Sequence, residues 1–397
     1  MHNRVGGMEA GKMFPAHRTP ALLVTAQRPV SAMRITQLTC NLRAGGAERL
    51  AVDLSCALAA RGHAVRFVVI DRFSGDEGET AKLRDLAASG IEVVNLGRSV
   101  GTNIVGLLSS CRSFAGELKA HPCDILHSHL PYAHCLAAAG RRLGGSAARQ
   151  LLTVHTSREH WATWQEKLIG TQPIAYCSHV ALRRSNHQYS RVWIAPNGVR
   201  FAAFAIQKPD GDPLESLGLP TGRRRIISVG SLLDGKNYRT SIEAIAQLRH
   251  KHDVQLIVCG AGDQGYLRAI VRRLGIGDRV SLLGPRSDVP SLLATSDLFL
   301  SASRYEGMPI AVLEALASGL PAVLSPIEEH EEVAGNMPGC VIADHNTPAP
   351  IADACEAMLR SPCDRQGLLT ERIRLLCTFD IMQCARNYES IYAELRE

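Results

Sequence analysis

A chain of 397 residues is long for one hydrophobic core, and its size predicts two domains. With 46% hydrophobic and 21% charged residues it reads as an ordinary soluble globular protein, and no apolar run approaches the roughly 18 residues that cross a bilayer, which excludes an integral membrane protein. A net charge of +6 is small for this length and gives no argument for a nucleic-acid partner.

Residues 1–32 contain three prolines and no sustained apolar period, which predicts a disordered or non-native extension without the pattern of a secretory signal. Regular structure begins at Met33. Strands at Arg34–Thr39, Ala64–Ile70 and Ile91–Leu96 alternate with helices at Ala47–Arg61, near Thr80–Ser89 and near Ile104–Ala120. Strands at Ile125–His127 and Gln150–Val154 follow, with short pieces at Pro173–Tyr176 and Val192–Ala195. This rhythm predicts a parallel sheet covered on both faces. The apolar period lapses over residues 207–222, rich in Pro, Gly and Asp, which predicts a linker. A second alternation follows, with strands at Arg225–Val229, Val254–Cys259, Val280–Leu283, Leu298–Ser301 and Pro321–Leu324. Its helices lie at Tyr238–His250, Gly265–Leu274 and Val289–Ala294, and another starts at Pro309. Asp380–Glu397 carries an apolar face suited to a last helix.

Twelve cysteines, none at C-x-x-C spacing and several inside apolar tracts (Cys40, Cys56, Cys259), predict buried reduced thiols in a cytosolic protein rather than disulfides or zinc. Arginines gather in the N-terminal half at 141, 142, 149, 158, 183, 184 and 191. They form either solvated helix faces or a surface for an anionic membrane or a phosphate-bearing acceptor.

The richest segment is Arg304-Tyr-Glu-Gly-Met-Pro-Ile-Ala-Val-Leu-Glu314. Pro309 suits the first helical position, placing Glu306 in the preceding loop and Glu314 on the second turn. The N–H groups of Gly307 and Met308 favour anions or hydroxyl oxygens, and a carboxylate accepts hydrogen bonds from vicinal diols, so phosphate, sugar and ribose fit one corner. Gly45-Gly46 follows the first strand, either as a plain tight turn or as a loop whose glycines take positive φ and let a ligand approach. Gly260-Ala-Gly262-Asp-Gln-Gly265 matches a dinucleotide fingerprint, but the next strand ends in Leu283-Gly284 without the acid a NAD ribose needs. A glycine turn approached by a nucleotide fits better. His127 and His129 form H-x-H at a strand end with no further ligands nearby, so no metal is predicted. His155 and Arg158 are candidates for the acceptor side. Trp161 and Trp164, at i, i+3, belong either to the core or to an acceptor platform.

Taken together, Asn41-Leu-Arg-Ala-Gly-Gly-Ala-Glu48, Asp124-Ile-Leu-His-Ser-His129, Ala195-Pro-Asn-Gly198, Val229-Gly-Ser-Leu-Leu-Asp-Gly-Lys236 and the Glu306–Glu314 segment resemble glycosyltransferase family 4, retaining enzymes of the GT-B fold. The resemblance implies an α/β architecture of two Rossmann-like, doubly wound parallel-sheet domains facing a central cleft. The acceptor-side domain would be residues 33–206 and the nucleotide-sugar domain residues 223–379, with residues 380–397 crossing back to the first. It implies Glu306, His129 and Lys236 as catalytic residues. The donor would be held by Gly45, Gly46, Ser231, Lys236, Gly260, Gly262, Arg286, Glu306, Gly307, Met308, Pro309 and Glu314, with Arg286 in the loop that cradles the base. Ser231 stands where the family usually has arginine, which removes a bidentate phosphate partner. The implied activity is transfer of a hexose or N-acetylhexosamine from a UDP-sugar to a hydroxyl acceptor, a glycan or a lipid-linked precursor, with no cofactor or metal required. A cytoplasmic location at the inner membrane face goes with it. The alternatives are a transferase of small natural products and a non-catalytic nucleotide-sugar-binding protein.

Overall fold

The computed structural model describes residues 31–43, 45–99, 104–157, 169, 172–185, 191–204, 211–220, 222–360 and 364–397. The N-terminal extension up to residue 30, Arg158, Trp161 and Trp164 therefore lie outside the described residues.

The chain folds into two parallel sheets. The first contains β1 (Arg34–Thr39), β2 (Ala64–Asp71), β3 (Glu92–Arg98), β4 (Ile125–His129), β5 (Arg149–Val154), β6 (Ile174–Tyr176) and β7 (Val192–Ile194). Their order is β3-β2-β1-β4-β5-β6-β7. The second contains β8 (Arg224–Val229), β9 (Val254–Cys259), β10 (Val280–Gly284), β11 (Leu298–Ser301), β12 (Ala322–Leu324) and β13 (Cys340–Ile342), in the order β10-β9-β8-β11-β12-β13. Each sheet is doubly wound, with its strand order reversing between β1 and β4 or between β8 and β11. Loops at such a switch point open a crevice beyond the carboxyl ends of the strands. The two crevices face each other, since Val154, Tyr176 and Val199 share one apolar cluster with Met308, Val312 and Leu316.

Most predicted elements are present, and the differences have local causes. Helix Glu77–Ala88 starts three residues before the expected Thr80 because the Asp76 carboxylate accepts the Glu79 N–H at 2.8 Å, and Glu79 accepts the Gly75 N–H at 2.7 Å. Strand β4 runs on through His129, two residues further than expected. Helices Pro131–Gly144, Glu328–Ala334, Pro348–Arg360 and Arg365–Leu376 were not anticipated. The first has clear punctuation, Pro131 in its first turn and Gly145 in the left-handed region at φ 62°. Within the stretch read as a linker, Asp212 caps the short helix Pro213–Ser216, which buries Leu214.

Helix Ile381–Arg396 lies on the first sheet, where Ile381, Cys384, Tyr388 and Tyr392 pack with Met33, Ile35, Leu50 and Leu54. The Val199 N–H donates to the Phe379 carbonyl and the Ile381 N–H to the Val199 carbonyl, joining the crossing strand to the chain after β7. Gly198 is required at this crossing, because a Cβ there would stand 2.6 Å from the Ile381 Cα. Buried Glu389 fixes the far end, accepting from Arg61 at 2.6 and 2.8 Å and from His63 Nε2 at 2.8 Å.

Arg183 and Arg184 are exposed, as a solvated helix face would be, and they also form ion pairs between the two halves. They pair with Glu328 and Glu329 of helix Glu328–Ala334 at 2.6 to 3.2 Å, and Glu332 accepts the His179 and Val180 N–H groups at the start of helix His179–Arg184. An acidic helix of the second half thus docks on a basic helix of the first, its carboxylates opposite both the guanidinium groups and the helix N-terminus.

Candidate active site

The two switch points enclose a cavity of ≈ 470 Å³. Gly45, Gly46 and His155 line it from the first half, and Ser231, Lys236, Gly260, Arg286, Glu306, Gly307, Met308 and Glu314 from the second. Among the sequence candidates, His129, Gly262 and Pro309 do not line it.

The Glu306 corner is built from the backbone outward. Lys236 leaves a single 3₁₀ turn, Asp234–Lys236, and its Nζ donates to both Glu306 oxygens at 2.6 and 2.8 Å. The Ser303 hydroxyl adds a third bond to Glu306 at 2.7 Å. Ser303 is held in turn through its carbonyl, which accepts from the Ser325 hydroxyl at 2.5 Å and from Asn346 Nδ2 at 3.0 Å. Buried His330 anchors this layer, with Nδ1 against the Ser325 carbonyl at 2.9 Å and Nε2 beside the Ser301 hydroxyl at 3.3 Å. Burial, opposed by the charge on Glu306, lowers the His330 pKa, so it supports the layer as a neutral ring. Ser303, Asn346 and His330 escaped the sequence reading. His330 sits inside Glu328-Glu-His-Glu-Glu332, a run that reads as a solvated face.

Beyond Glu306 the loop presses against the first half. A Cβ on Gly307 would lie 1.9 Å from the His155 carbonyl oxygen, so no other residue fits without moving one half. The Gly307 carbonyl accepts from the Ser178 hydroxyl at 2.8 Å, the Glu306 carbonyl from the Ser157 N–H at 3.3 Å, and Met308 Sδ lies 3.0 Å from the Asn197 N–H. Pro309 is the N-cap of helix Ile310–Ala317, one residue outside the position expected for it. Glu314 faces the first half from this helix. Burial, reinforced by Asp53, pushes its pKa up to about 7 against the pull of Arg49 and Arg200. Both arginines also pair with Asp53 and Asp85. None of these four was singled out in the sequence.

The glycines correct two expectations. Gly45 is extended at φ −171° and Gly46 opens helix Gly46–Ala60, so neither uses positive φ. What they supply is space, since a Cβ on Gly45 would meet the Glu48 carboxylate and one on Gly46 would reach within 3.3 Å of Ile310. Gly260 and Gly262 also leave room for neighbouring parts of the chain, the Gly230 backbone and Leu232. A Cβ on Gly260 would strike the Gly230 carbonyl at 1.8 Å, and one on Gly262 would reach Leu232 at 2.8 Å. Arg286 is held bidentate by Asp288 at 2.8 and 2.7 Å.

The histidines form a relay that ends at the cavity. Gln37 presents its oxygen to His129 Nε2 at 2.8 Å and its nitrogen to the Tyr392 hydroxyl at 3.4 Å. His129 is fully buried, and burial holds its pKa well below the ordinary value. With Nε2–H donating to Gln37, His129 Nδ1 is the acceptor, and it meets His155 Nε2 at 3.0 Å. That assigns the His155 proton to Nε2 and leaves Nδ1 as a bare lone pair. This Nδ1 is buried without a partner among the described residues, as is Asn197 Oδ1, and both residues line the cavity. Two acceptor atoms on cavity-lining residues are therefore left without a donor among the described residues.

Two successive family descriptions match this chain, "Glycosyltransferase Family 4" over residues 44–202 and "Glycosyl transferases group 1" over residues 223–361. The chain is 34% identical over 233 residues to the Escherichia coli UDP-Gal:alpha-D-GlcNAc-diphosphoundecaprenol alpha-1,3-galactosyltransferase, covering 53% of this chain and 59% of that protein. It is 26% identical over 236 residues to the glycosyltransferase EpsF of Bacillus subtilis (strain 168), covering 55% and 62%. The chain thus spans about three fifths of the length of these two relatives. Among solved structures, Anabaena Alr3699/HepE in complex with UDP and glucose superposes with a TM-score of 0.74 at 18% identity, over 91% of this chain and 100% of that one.

The relay is open to direct observation. In ¹⁵N-histidine-labelled protein, His155 is expected to show protonated Nε2 and bare Nδ1 from about pH 5 to 8, because burial holds its pKa at about 4. An imidazolium at pH 6, or the opposite tautomer, contradicts the assignment.

Proposed function

The chain belongs to glycosyltransferase family 4, and from that membership we propose that it transfers a hexose or N-acetylhexosamine from a UDP-sugar to a hydroxyl acceptor with retention at the anomeric carbon. The observation that carries this reading is the composition of the cleft wall. A lysine–carboxylate pair, Lys236 and Glu306, lies on one side, and two buried acceptors without partners, His155 Nδ1 and Asn197 Oδ1, lie on the other. Sugar hydroxyls are donors of the kind those acceptors lack. The UDP preference is supported by the printed substrate of the galactosyltransferase relative and by the ligand in the HepE complex.

In this reading Glu306 holds hydroxyls of the transferred sugar, and Lys236 shares its ammonium with the departing diphosphate. An oxygen of the leaving diphosphate takes the acceptor's proton as the new glycosidic bond forms on the same face. Electrostatic stabilisation of the leaving group then carries most of the catalysis. His155 orients a hydroxyl through its bare nitrogen. His129 lies behind it and acts through it, as a positioning residue rather than one that touches substrate. Glu314, ionised, accepts both ribose hydroxyls. A protein that keeps the nucleotide without turnover is the second reading, motivated by Ser231 on the cleft wall.

The acceptor is proposed to be a lipid-linked glycan reached at an anionic membrane surface, and the relative's diphosphoundecaprenol acceptor supports it. So does the outer layer of the first half. Helices Ile104–Ala120 and Pro131–Gly144 expose Val105, Leu108 and Leu143 beside exposed Arg112, Lys119 and Arg142. Apolar side chains among cations suit an anionic headgroup layer. No helix among the described residues is long and apolar enough to cross a membrane.

Three measurements test these assignments. With a panel of UDP-sugars, the parent should release UDP from at least one donor, and Glu306→Gln should lower that rate by about 100-fold or more while UDP binding changes little. Binding of UDP without release from any donor favours the second reading. UDP-glucose affinity should rise about tenfold between pH 6 and 8, as a carboxyl with a pKa of about 7 ionises, and Glu314→Gln should flatten that rise; an unchanged slope removes Glu314 from the ribose. Vesicles rich in anionic lipid should float the parent and lose Leu108→Glu/Leu143→Glu. Equal flotation of both proteins rules this surface out.

A further inference from the structure

Among the described residues, four cations line the cleft: Arg49, Lys82, Lys236 and Arg286. Three are neutralised where they stand, Arg49 by Asp53 and Asp85, Lys236 by Glu306, and Arg286 by Asp288. Lys82 makes no ion pair among the described residues. It leaves helix Glu77–Ala88, is almost completely buried, and donates to the carbonyls of Leu42, Arg43 and Gly78 at 3.1, 3.2 and 3.4 Å. Carbonyl dipoles hold an ammonium in place without cancelling its charge. The cleft cation without an ion pair among the described residues is therefore on the first-half wall, where Glu48 also lines the cavity, across from Lys236.

We propose that Lys82 is a second cation for the donor's diphosphate, supplied by the first half while Lys236 supplies the other from the second. The proposal rests on reading the cleft as a nucleotide-sugar site. Because the ammonium is pinned by three carbonyls, its side chain is already ordered, and little conformational freedom is lost when an anion arrives. Burial, with Arg49 nearby, lowers its pKa although Glu48, Asp76 and Glu79 act against that shift without forming an ion pair with it. Division of the two cations between the halves also makes diphosphate binding depend on both walls being in place. The alternative is that Lys82 is only a clamp for the Leu42–Arg43 loop.

Lys82→Gln separates the two, because the amide keeps N–H donors for the carbonyls and removes the charge. Lys82→Met is a second charge-free variant, and Lys82→Arg keeps the charge. Calorimetric titration with UDP and with uridine at two salt concentrations is expected to show UDP affinity at least about tenfold weaker in Lys82→Gln, with a shallower salt dependence. Uridine affinity should be unchanged, and Lys82→Arg should stay near the parent. Adding Ser231→Arg, which places a cation on the opposite wall of the same cavity, should restore UDP affinity to Lys82→Gln. If the parent binds no UDP, the nucleotide reading of the cleft falls. If the parent binds UDP and the charge-free variants bind it equally well, or lose UDP and uridine in equal measure, Lys82 is a clamp and the proposal is overturned.

Discussion

At Gly307 a single missing methyl group sets the distance between the two halves, because the His155 carbonyl occupies the space where a side chain would begin. From that contact the rest of the cleft follows. Ser157, Ser178 and Asn197 of the first half each bond the Glu306–Met308 loop, and through it they fix where the Glu306 carboxylate and Lys236 stand. Interiors are close-packed, so a bulkier residue at the contact would part the sheets rather than deform them. The electrostatic contact between helices Glu328–Ala334 and His179–Arg184 works at longer range. It lies on the flank of the same loop, because Glu329 also accepts from the Ser157 hydroxyl at 2.5 Å.

Much of the fold was legible because parallel strands buried on both faces read as short apolar runs. The loops after β1, β4, β8 and β11 stood out because glycines, histidines and carboxylates interrupt those runs. What stayed hidden depends on three-dimensional neighbours. His330 is charged company in sequence and a buried neutral ring in space, since its two acidic flanks point toward Ser157 and helix His179–Arg184. Arg183 and Arg184 are surface residues, and their ion pairs were not legible because the partners are more than a hundred residues away. The glycines of the 260–262 turn matched a ligand-binding pattern, and although Gly260 lines the cavity, the atoms closest to the two belong to Gly230 and Leu232. A spacing pattern records that something approaches the chain, and not what approaches it.

His129 is set back from the cavity wall. The residue lies at the end of β4 where the sequence put it, yet one more histidine stands between it and the cavity. Its bond to Gln37 determines which nitrogen of His155 holds a proton. The state of the cleft wall is therefore decided two residues deep, in a layer with no contact to solvent.

That layer is closed by the C-terminal helix. The Tyr392 hydroxyl meets both Gln37 and His127 Nδ1, and Tyr388 bonds Thr153, which meets His127 Nε2. During synthesis, the strands that carry these histidines leave the ribosome some 250 residues before the two tyrosines that complete their packing. Until then β1, β4 and β5 lack a large part of their apolar cover, and the nascent first half must wait in an unfinished state. Domains of a growing chain generally fold in order of emergence. Here the order is inverted at the last step: the half made first is the half finished last.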